Sequence, residues 1–228
     1  MKTQWAFLLL LQLTFAHDLW IERSGEYYIL HYGHIYPQKG EEEKISYKPE
    51  NVLKFECLDN EGKAVRAVVE KDYQVRLKGS CGMVQAEFSS GYWTKTVYGL
   101  KNLPKDKVSG AVEGWLSVET VRRVDVWSKA LEKPLSDSLE LVLLENPAGI
   151  KSGSKFTVQA YYKNKPLKDV AVSHNGKVVG NTDENGRINL RLRSPGLQLL
   201  SLSIKEKGDG IKADYVVRTF HLVFEVGR

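Results

Sequence analysis

The sequence predicts an all-β fold made of two β-sandwich domains, and three observations lead to this prediction. Short alternating or apolar runs recur along the chain, each bounded by Gly, Asn, Asp or Pro. After residue 16, apolar residues almost nowhere follow a helical period. The 19 Gly, 11 Tyr and 5 Trp, together with frequent Val, also favour strands. A length of 228 residues is enough for two such domains.

The first element along the chain is a signal peptide, predicted over residues 1–16. Lys2 precedes an apolar stretch that ends at Phe15, and the small residue Ala16 follows. This order of charged, apolar and small residues is typical of exported proteins. The apolar stretch is shorter than the roughly 20 residues needed to cross a bilayer. We therefore expect cleavage between Ala16 and His17 and a mature protein that is periplasmic or secreted, without membrane insertion.

The remaining chain is expected to form an N-terminal β domain at residues 17–135 and a C-terminal sandwich at 136–228. Pro134 and nearby turn-forming residues interrupt the strands at this boundary. Farther on, Asn175-Gly176 lies between two Val-rich runs and predicts a tight hairpin. The turn Thr182–Gly186 resembles the one in transthyretin-like and carboxypeptidase-regulatory modules. That resemblance implies a small Ig-like Greek-key sandwich for the C-terminal domain.

The two cysteines of the chain, Cys57 and Cys81, are expected to form a disulfide. An exported protein folds in an oxidising compartment, where a pair of cysteines is usually cross-linked. Metal binding through thiolates is the alternative, but the sequence has no Cys-x-x-Cys pattern that favours it.

Charge and motif content exclude several classes of function. The 33 basic and 28 acidic residues are mixed along the chain, and no Lys/Arg block marks a nucleic-acid partner. The sequence has no Gly-x-Ser-x-Gly elbow, no His-Glu-x-x-His helix, no P-loop and no dinucleotide fingerprint. We therefore do not expect an enzyme.

Three of the five histidines, His17, His31 and His34, lie within eighteen residues of one another and are candidate metal ligands. After cleavage, His17 would carry both a free α-amine and its ring Nδ1, which can close a chelate on one metal. In a regular strand, positions 31 and 34 point to opposite faces. A bulge or strand end at Gly33 would let both histidines approach one ion. Nitrogen ligands without thiolate favour Ni(II) or Cu(II) over zinc.

The other two histidines are interpreted more conservatively. His174 precedes the Asn175-Gly176 turn, so we expect it at an exposed hairpin tip. His221 alternates with apolar residues and faces away from their core. It is therefore expected to face solvent, with a ligand role towards the N-terminal domain as the alternative.

The N-terminal motif also carries a family resemblance. His17–Glu22, which reads HDLWIE, and Tyr32-Gly33-His34 resemble a periplasmic family associated with nickel and cobalt uptake transporters. Similar short motifs continue along the chain, at Ser89–Thr96, Pro134-Leu135, Leu139–Val142, Asn146-Pro147, Gly153, Lys165–Leu167 and Thr182–Gly186. The resemblance implies an exported β-sandwich protein that binds a divalent transition metal, nickel first and cobalt or copper as alternatives. It places the ligand role on His17 and His34, with His31 as a lesser candidate.

This resemblance makes an accessory protein for nickel or cobalt uptake the leading functional hypothesis, with a membrane-embedded metal transporter as a possible partner. The sequence departs from the family after His34, where Ile35-Tyr36-Pro37 replaces a glycine-rich continuation. Two other functions stay open. One is copper handling or a copper-dependent oxidative enzyme, with a substrate surface drawn from Trp20, Tyr32, Tyr92 and Trp93. The other is a structural or adhesion module without metal.

Overall fold

The computed structural model describes residues 17–227, and this part of the chain is all-β, as predicted. Its seventeen strands have the following bounds: β1 (Asp18–Ser24), β2 (Tyr27–Gly33), β3 (Val52–Leu58), β4 (Ala64–Val65), β5 (Val68–Glu70), β6 (Arg76–Lys78), β7 (Met83–Thr96), β8 (Gly99–Lys101), β9 (Ala111–Val124), β10 (Glu140–Leu143), β11 (Lys155–Tyr162), β12 (Lys165–Pro166), β13 (Ala171–His174), β14 (Lys177–Asn181), β15 (Arg187–Arg191), β16 (Gly196–Lys207) and β17 (Tyr215–Val226). Single 3-10 turns lie at Pro49–Asn51, Lys105–Lys107, Lys129–Glu132 and Pro147–Gly149. The predicted signal peptide, residues 1–16, lies outside the described residues. Within 17–227, no helix is long and apolar enough to cross a membrane.

The strands form three sheets. The N-terminal sheet has the order β1-β2-β6-β5, and the C-terminal sheet joins β10, β11, β12 and β15. The large sheet has the order β14-β13-β16-β17-β9-β7-β3-β4, with β8 paired to β7. Its central pair, β9 and β17, runs parallel, whereas the other pairs are antiparallel. Strands on both sides of the expected boundary at residue 135 therefore belong to one sheet.

The large sheet lies between the two smaller sheets and shares a core with each. Leu199 and Val223 pack with residues of the N-terminal sheet, such as Leu30. Their neighbours along the strands, Leu200 and Leu222, pack instead with the C-terminal sheet. Because successive strand residues point to opposite faces, one strand can supply side chains to both cores. Each fully buried aliphatic side chain contributes about 1.5–3 kcal/mol to folding.

Two local predictions are confirmed. Cys57 and Cys81 form a disulfide, with their Cα atoms 5.3 Å apart. The bond ties β3 to the segment that follows β6, beneath the N-terminal sheet. Asn175 and Gly176 have φ values of 51° and 74° and connect β13 to β14. Positive φ at both central residues is the backbone geometry that a two-residue hairpin requires.

Candidate functional site

His17 and His34 lie beside each other at the open end of the N-terminal sheet. The pairing of β1 with β2 ends with Asp18 opposite Gly33, so the residues just beyond this pair are His17 and His34. Their ring centroids are 5.0 Å apart, at an interplanar angle of 70°. The antiparallel register therefore brings together two histidines that are seventeen positions apart in sequence.

Tyr32 fixes the ring of His17. Its hydroxyl oxygen is 2.8 Å from Nδ1 of His17, and the two groups share a hydrogen bond. The Tyr32 ring stacks on Phe88, with centroids 4.9 Å apart. Burial raises the pKa of the Tyr32 phenol, and the Glu119 carboxylate raises it further. The hydroxyl is therefore neutral at physiological pH and remains available as a hydrogen-bond partner.

Position 33 must be a glycine because the backbone at Glu43, which holds His34 in place, passes very close to it. Gly33 has a φ of 148°, and a Cβ at this position would collide with the backbone oxygen of Glu43. The amide of His34 donates a 2.9 Å hydrogen bond to that same oxygen. The returning segment also carries Glu41, whose Oε2 lies 3.7 Å from Nδ1 of His34. The predicted strand end at Gly33 is thus present, but it positions Glu41 rather than His31.

The electrostatic surroundings keep the His17 ring neutral. Burial lowers the pKa of His17, and the neighbouring His34 lowers it further. The carboxylates of Glu119, Asp18 and Glu41 act in the opposite direction without reversing the shift. At neutral pH, the His17 ring is therefore neutral and lies near three carboxyl groups.

The large sheet supplies a buried polar pair below these histidines. His221 Nε2 is 3.2 Å from Oε2 of Glu119, and His221 Nδ1 is 2.8 Å from Oγ of Ser201. The expectation that His221 faces solvent is wrong, because the residue is 1% exposed. It does face away from Phe220 and Leu222, as the alternation predicts. The N-terminal sheet covers that opposite face.

Asp18 connects this buried pair to the strand ends. Its Oδ2 accepts a 3.2 Å hydrogen bond from the amide of Ile35. Burial raises the pKa of the Asp18 carboxyl, while His221, the Ile35 amide and His34 oppose that shift. The Asp18 carboxyl is therefore close enough to both His34 and His221 to interact electrostatically with each.

His31 lies apart from this group. Its side chain points to the other face of the N-terminal sheet and packs on Trp20, with ring centroids 5.2 Å apart. Its Nε2 is 3.0 Å from Oε2 of Glu22, and its Nδ1 is 3.3 Å from Nε2 of Gln74. Burial lowers the pKa of His31, and Lys44 lowers it further. The structure therefore joins His17 to His34 and leaves His31 out.

His174 also differs from its prediction. It is 8% exposed rather than at an exposed hairpin tip, and its Nε2 is 2.9 Å from Oε1 of Gln198. Its ring contacts Phe156 edge-on, with centroids 6.0 Å apart. His174 precedes the turn by one residue and shares a strand face with the buried Val172, so its side chain enters the core.

The donors in this site suit a transition metal only if the main chain contributes. Among residues 17–227, no group of three or more His, Cys, Asp or Glu side chains is arranged to hold a metal ion. Two imidazoles do meet, and imidazole is a ligand for nickel, cobalt and copper. A further nitrogen at the same place is the backbone nitrogen of His17, which becomes an amine only when the bond to Ala16 is cut.

Sequence reasoning missed most of the polar residues around the two histidines. Glu119 was detectable as a charged residue in a strand segment bounded by Val118 and Val121. Glu41 gave no comparable signal, because it lies in the charged run Glu41–Lys44, and Asp18 was noted only as part of the motif HDLWIE. Of the aromatic residues proposed as a surface, Tyr32 lies in the site, whereas Trp20 is 3% exposed and belongs to the core.

Comparison with known proteins identifies a family without assigning an activity. A family model described as a domain of unknown function (DUF4198) matches residues 14–206. No curated protein matches the chain.

Two solved structures show a weak similarity. The D0-D1 domain of Intimin is 14% identical, with a TM-score of 0.24, over 91% of this chain and 97% of that one. The fibronectin(III)-like modules of Clostridium thermocellum CbhA are 11% identical, with a TM-score of 0.23, over 92% and 95%. At these scores, neither likeness supports an argument about this chain. The family match spans most of the sequence, and the chain belongs to the DUF4198 family, a domain of unknown function.

Proposed function

We propose that the chain is an exported transition-metal-binding protein whose site is created when the signal peptide is removed before His17. One observation carries this proposal: the His17 and His34 rings lie 5.0 Å apart at the predicted new N-terminus. The metal is held by the α-amine and ring of His17 together with the ring of His34. Resemblance of the motif HDLWIE to nickel- and cobalt-associated proteins makes nickel the first choice.

The protonation of the site supports metal binding at neutral pH. Metal ligands must bind in their deprotonated form, and the lowered pKa of His17 reduces proton competition at its ring. The carboxylates of Asp18, Glu41 and Glu119 add negative charge, which stabilises a bound cation. Nδ1 of His17 is already hydrogen-bonded to Tyr32, so coordination through this atom requires that hydrogen bond to be replaced.

The available donors limit the choice of metal. Both cysteines are engaged in the disulfide, so thiolate is not available at this site. Nitrogen and oxygen donors suit Ni(II), Co(II) and Cu(II). Copper is the second candidate, because among divalent first-row metals it binds nitrogen ligands most tightly. The side chain of His34 is partly exposed, at 14%, which leaves a path for release, as expected of a carrier in metal uptake.

Addition of one glycine before His17 tests this proposal. The insertion converts the His17 amine into an amide, and every imidazole stays in place. Nickel affinity is measured by calorimetry for three proteins: residues 17–228, the glycine-extended form and the His34→Ala variant. We expect both altered proteins to bind at least 100-fold more weakly, a loss of about 2.7 kcal/mol. Repeating the titration with Cu(II) in competition ranks the two metals.

The matched control is His31→Gln. This variant removes a buried histidine only three positions from His34, on the other face of the sheet, and should leave nickel affinity within twofold. Equal affinity of the extended and authentic proteins would contradict the proposed chelate. A large loss in His31→Gln would instead return that residue to the site.

A further inference from the structure

The far end of the large sheet exposes a cluster of apolar side chains. We define the apolar tip as Val97, Tyr98, Leu100, Val112 and Ile211, which are 78%, 95%, 54%, 59% and 66% exposed. The first three lie in or next to the loop that joins β7 to β8. A single exposed apolar residue is ordinary, but a group of five at one end of a domain marks an interaction surface.

Backbone pairing places the members of the tip together. Thr96, which precedes Val97, pairs with Ala111, which precedes Val112. The loop that carries Ile211 is held beside them, because the amide of Lys105 donates to the backbone oxygen of Lys212 at 2.8 Å. The same loop is also fixed to the first residues of β9, because the amide of Asp214 donates to the backbone oxygen of Gly114 at 2.8 Å.

Three lysines lie next to residues of the apolar tip, in sequence or across the sheet. Lys95 pairs with Leu100 across β7 and β8, and Lys101 and Lys212 each follow a tip residue in sequence. All three lysines are exposed. Among the nearby carboxylates, Glu113 lies directly across from Lys95 in the sheet, Asp214 is 2.6 Å from Lys105, and Asp106 is 3.7 Å from Lys107. Asp209 accepts hydrogen bonds from three backbone amides of its own loop.

We propose that the apolar tip docks the protein onto the surface of a phospholipid bilayer containing anionic lipids. The apolar, aromatic and basic side chains of this region match the layers of such a bilayer surface. Aliphatic groups enter the acyl region, and the Tyr98 ring suits the headgroup level. The lysines behind reach the phosphates with their ammonium groups. The core of a protein–protein interface is, by contrast, depleted in lysine.

The docked orientation keeps the histidine site in solvent near the membrane. Ala111 is at the tip end of β9 and Glu119 is in the candidate metal site, eight residues farther along the same strand. At about 3.3 Å per residue, the site lies roughly 25 Å from the tip. Docking therefore neither covers His17 nor depends on a bound metal.

Vesicle co-sedimentation of the metal-free protein tests this inference. The protein, residues 17–228, is mixed with vesicles of phosphatidylethanolamine and phosphatidylglycerol and, in parallel, with vesicles of phosphatidylcholine alone. We expect binding to the anionic vesicles and at least tenfold weaker binding to the neutral ones. The triple variant Val97→Ser, Tyr98→Ser and Ile211→Ser should lose at least tenfold on anionic vesicles.

A matched variant controls for exposed apolar surface in general. Leu53→Ser, Val126→Ser and Val178→Ser together remove three exposed apolar side chains outside the tip, which are 59%, 50% and 57% exposed. This control should bind vesicles within twofold of the wild type, and both triple variants should keep the wild-type melting temperature. Equal vesicle binding by the two triple variants would overturn the proposal. So would a wild-type protein that self-associates through the tip and ignores vesicles.

Discussion

His221 and Glu119 meet in the interior of the molecule, where strands 102 residues apart in sequence run parallel. Nε2 of His221 is 3.2 Å from Oε2 of Glu119, and the side chains are only 2% and 5% exposed. The pair lies in the large sheet directly below the histidines at the N-terminus. The pair therefore contributes to the stability of the fold at the place where it supports the candidate metal site.

Removal of one partner from this pair should destabilise the protein strongly. In His221→Ala, Oε2 of Glu119 stays buried without its imidazole partner, and leaving a buried polar group unpaired costs about 1–3 kcal/mol. Glu119→Gln should cost less, because the amide oxygen can still accept a hydrogen bond. Urea unfolding of the metal-free proteins measures both losses. Glu184→Gln, at an exposed ion pair with Lys168, is the control and should change stability by less than about 1 kcal/mol. A similarly small change in His221→Ala would contradict the prediction.

Tyr32→Phe tests the hydrogen bond that occupies Nδ1 of His17. The variant keeps the ring stacked on Phe88 and removes only the hydroxyl. If coordination must replace this hydrogen bond, its removal should strengthen nickel binding by about 3- to 10-fold, since a hydrogen bond contributes about 0.5–1.5 kcal/mol. Calorimetric titration at pH 7.5 gives the change. A more than tenfold loss of affinity would mean that the hydroxyl itself supports the bound metal.

Metal affinity should depend on pH mainly through the α-amine of His17. A free α-amine has an ordinary pKa of about 8, whereas burial and His34 lower the pKa of the His17 ring. Lowering pH from 8 to 6 therefore protonates the amine first, and each proton released on binding weakens affinity by up to about tenfold per pH unit. Titrations at four pH values measure this slope. The glycine-extended protein should have a shallower slope over the same range, and identical slopes would argue against the amine.

The sequence predicted the parts of this structure that depend on local pattern. Alternating apolar residues indicated strands, Asn175-Gly176 indicated a hairpin, and the two cysteines indicated their bond. The proximity of His17 and His34 was also predictable from sequence, because β1 and β2 are separated by a short turn at Gly25. Each of these features is decided by neighbours in sequence or by a very small set of possible partners.

Features that depend on distant strands could not be predicted in this way. The alternation of His221 was interpreted correctly, but its exposure was not, because the covering sheet comes from the other end of the chain. His174 was placed at a turn, although its face of β13 enters the core with Val172. Glu119 meets His221 through the parallel pairing of β9 with β17. No local sequence pattern specifies that pairing.

The burial of His174 predicts how stability depends on pH away from the metal site. Burial lowers the pKa of His174, and Arg193 lowers it further, while the unfolded chain keeps the ordinary value of about 6.5. Above that value, both states are neutral. As pH falls below it, the unfolded state binds the proton first, so stability is lost until the pH falls below the lowered pKa in the folded protein. His174→Gln removes this linkage, and its unfolding free energy should fall less steeply between pH 7 and 5, by at most about 1.4 kcal/mol per pH unit. Urea unfolding in the presence of a chelator measures both slopes. Parallel curves for the variant and the wild type would show that His174 is protonated equally in the folded and unfolded states.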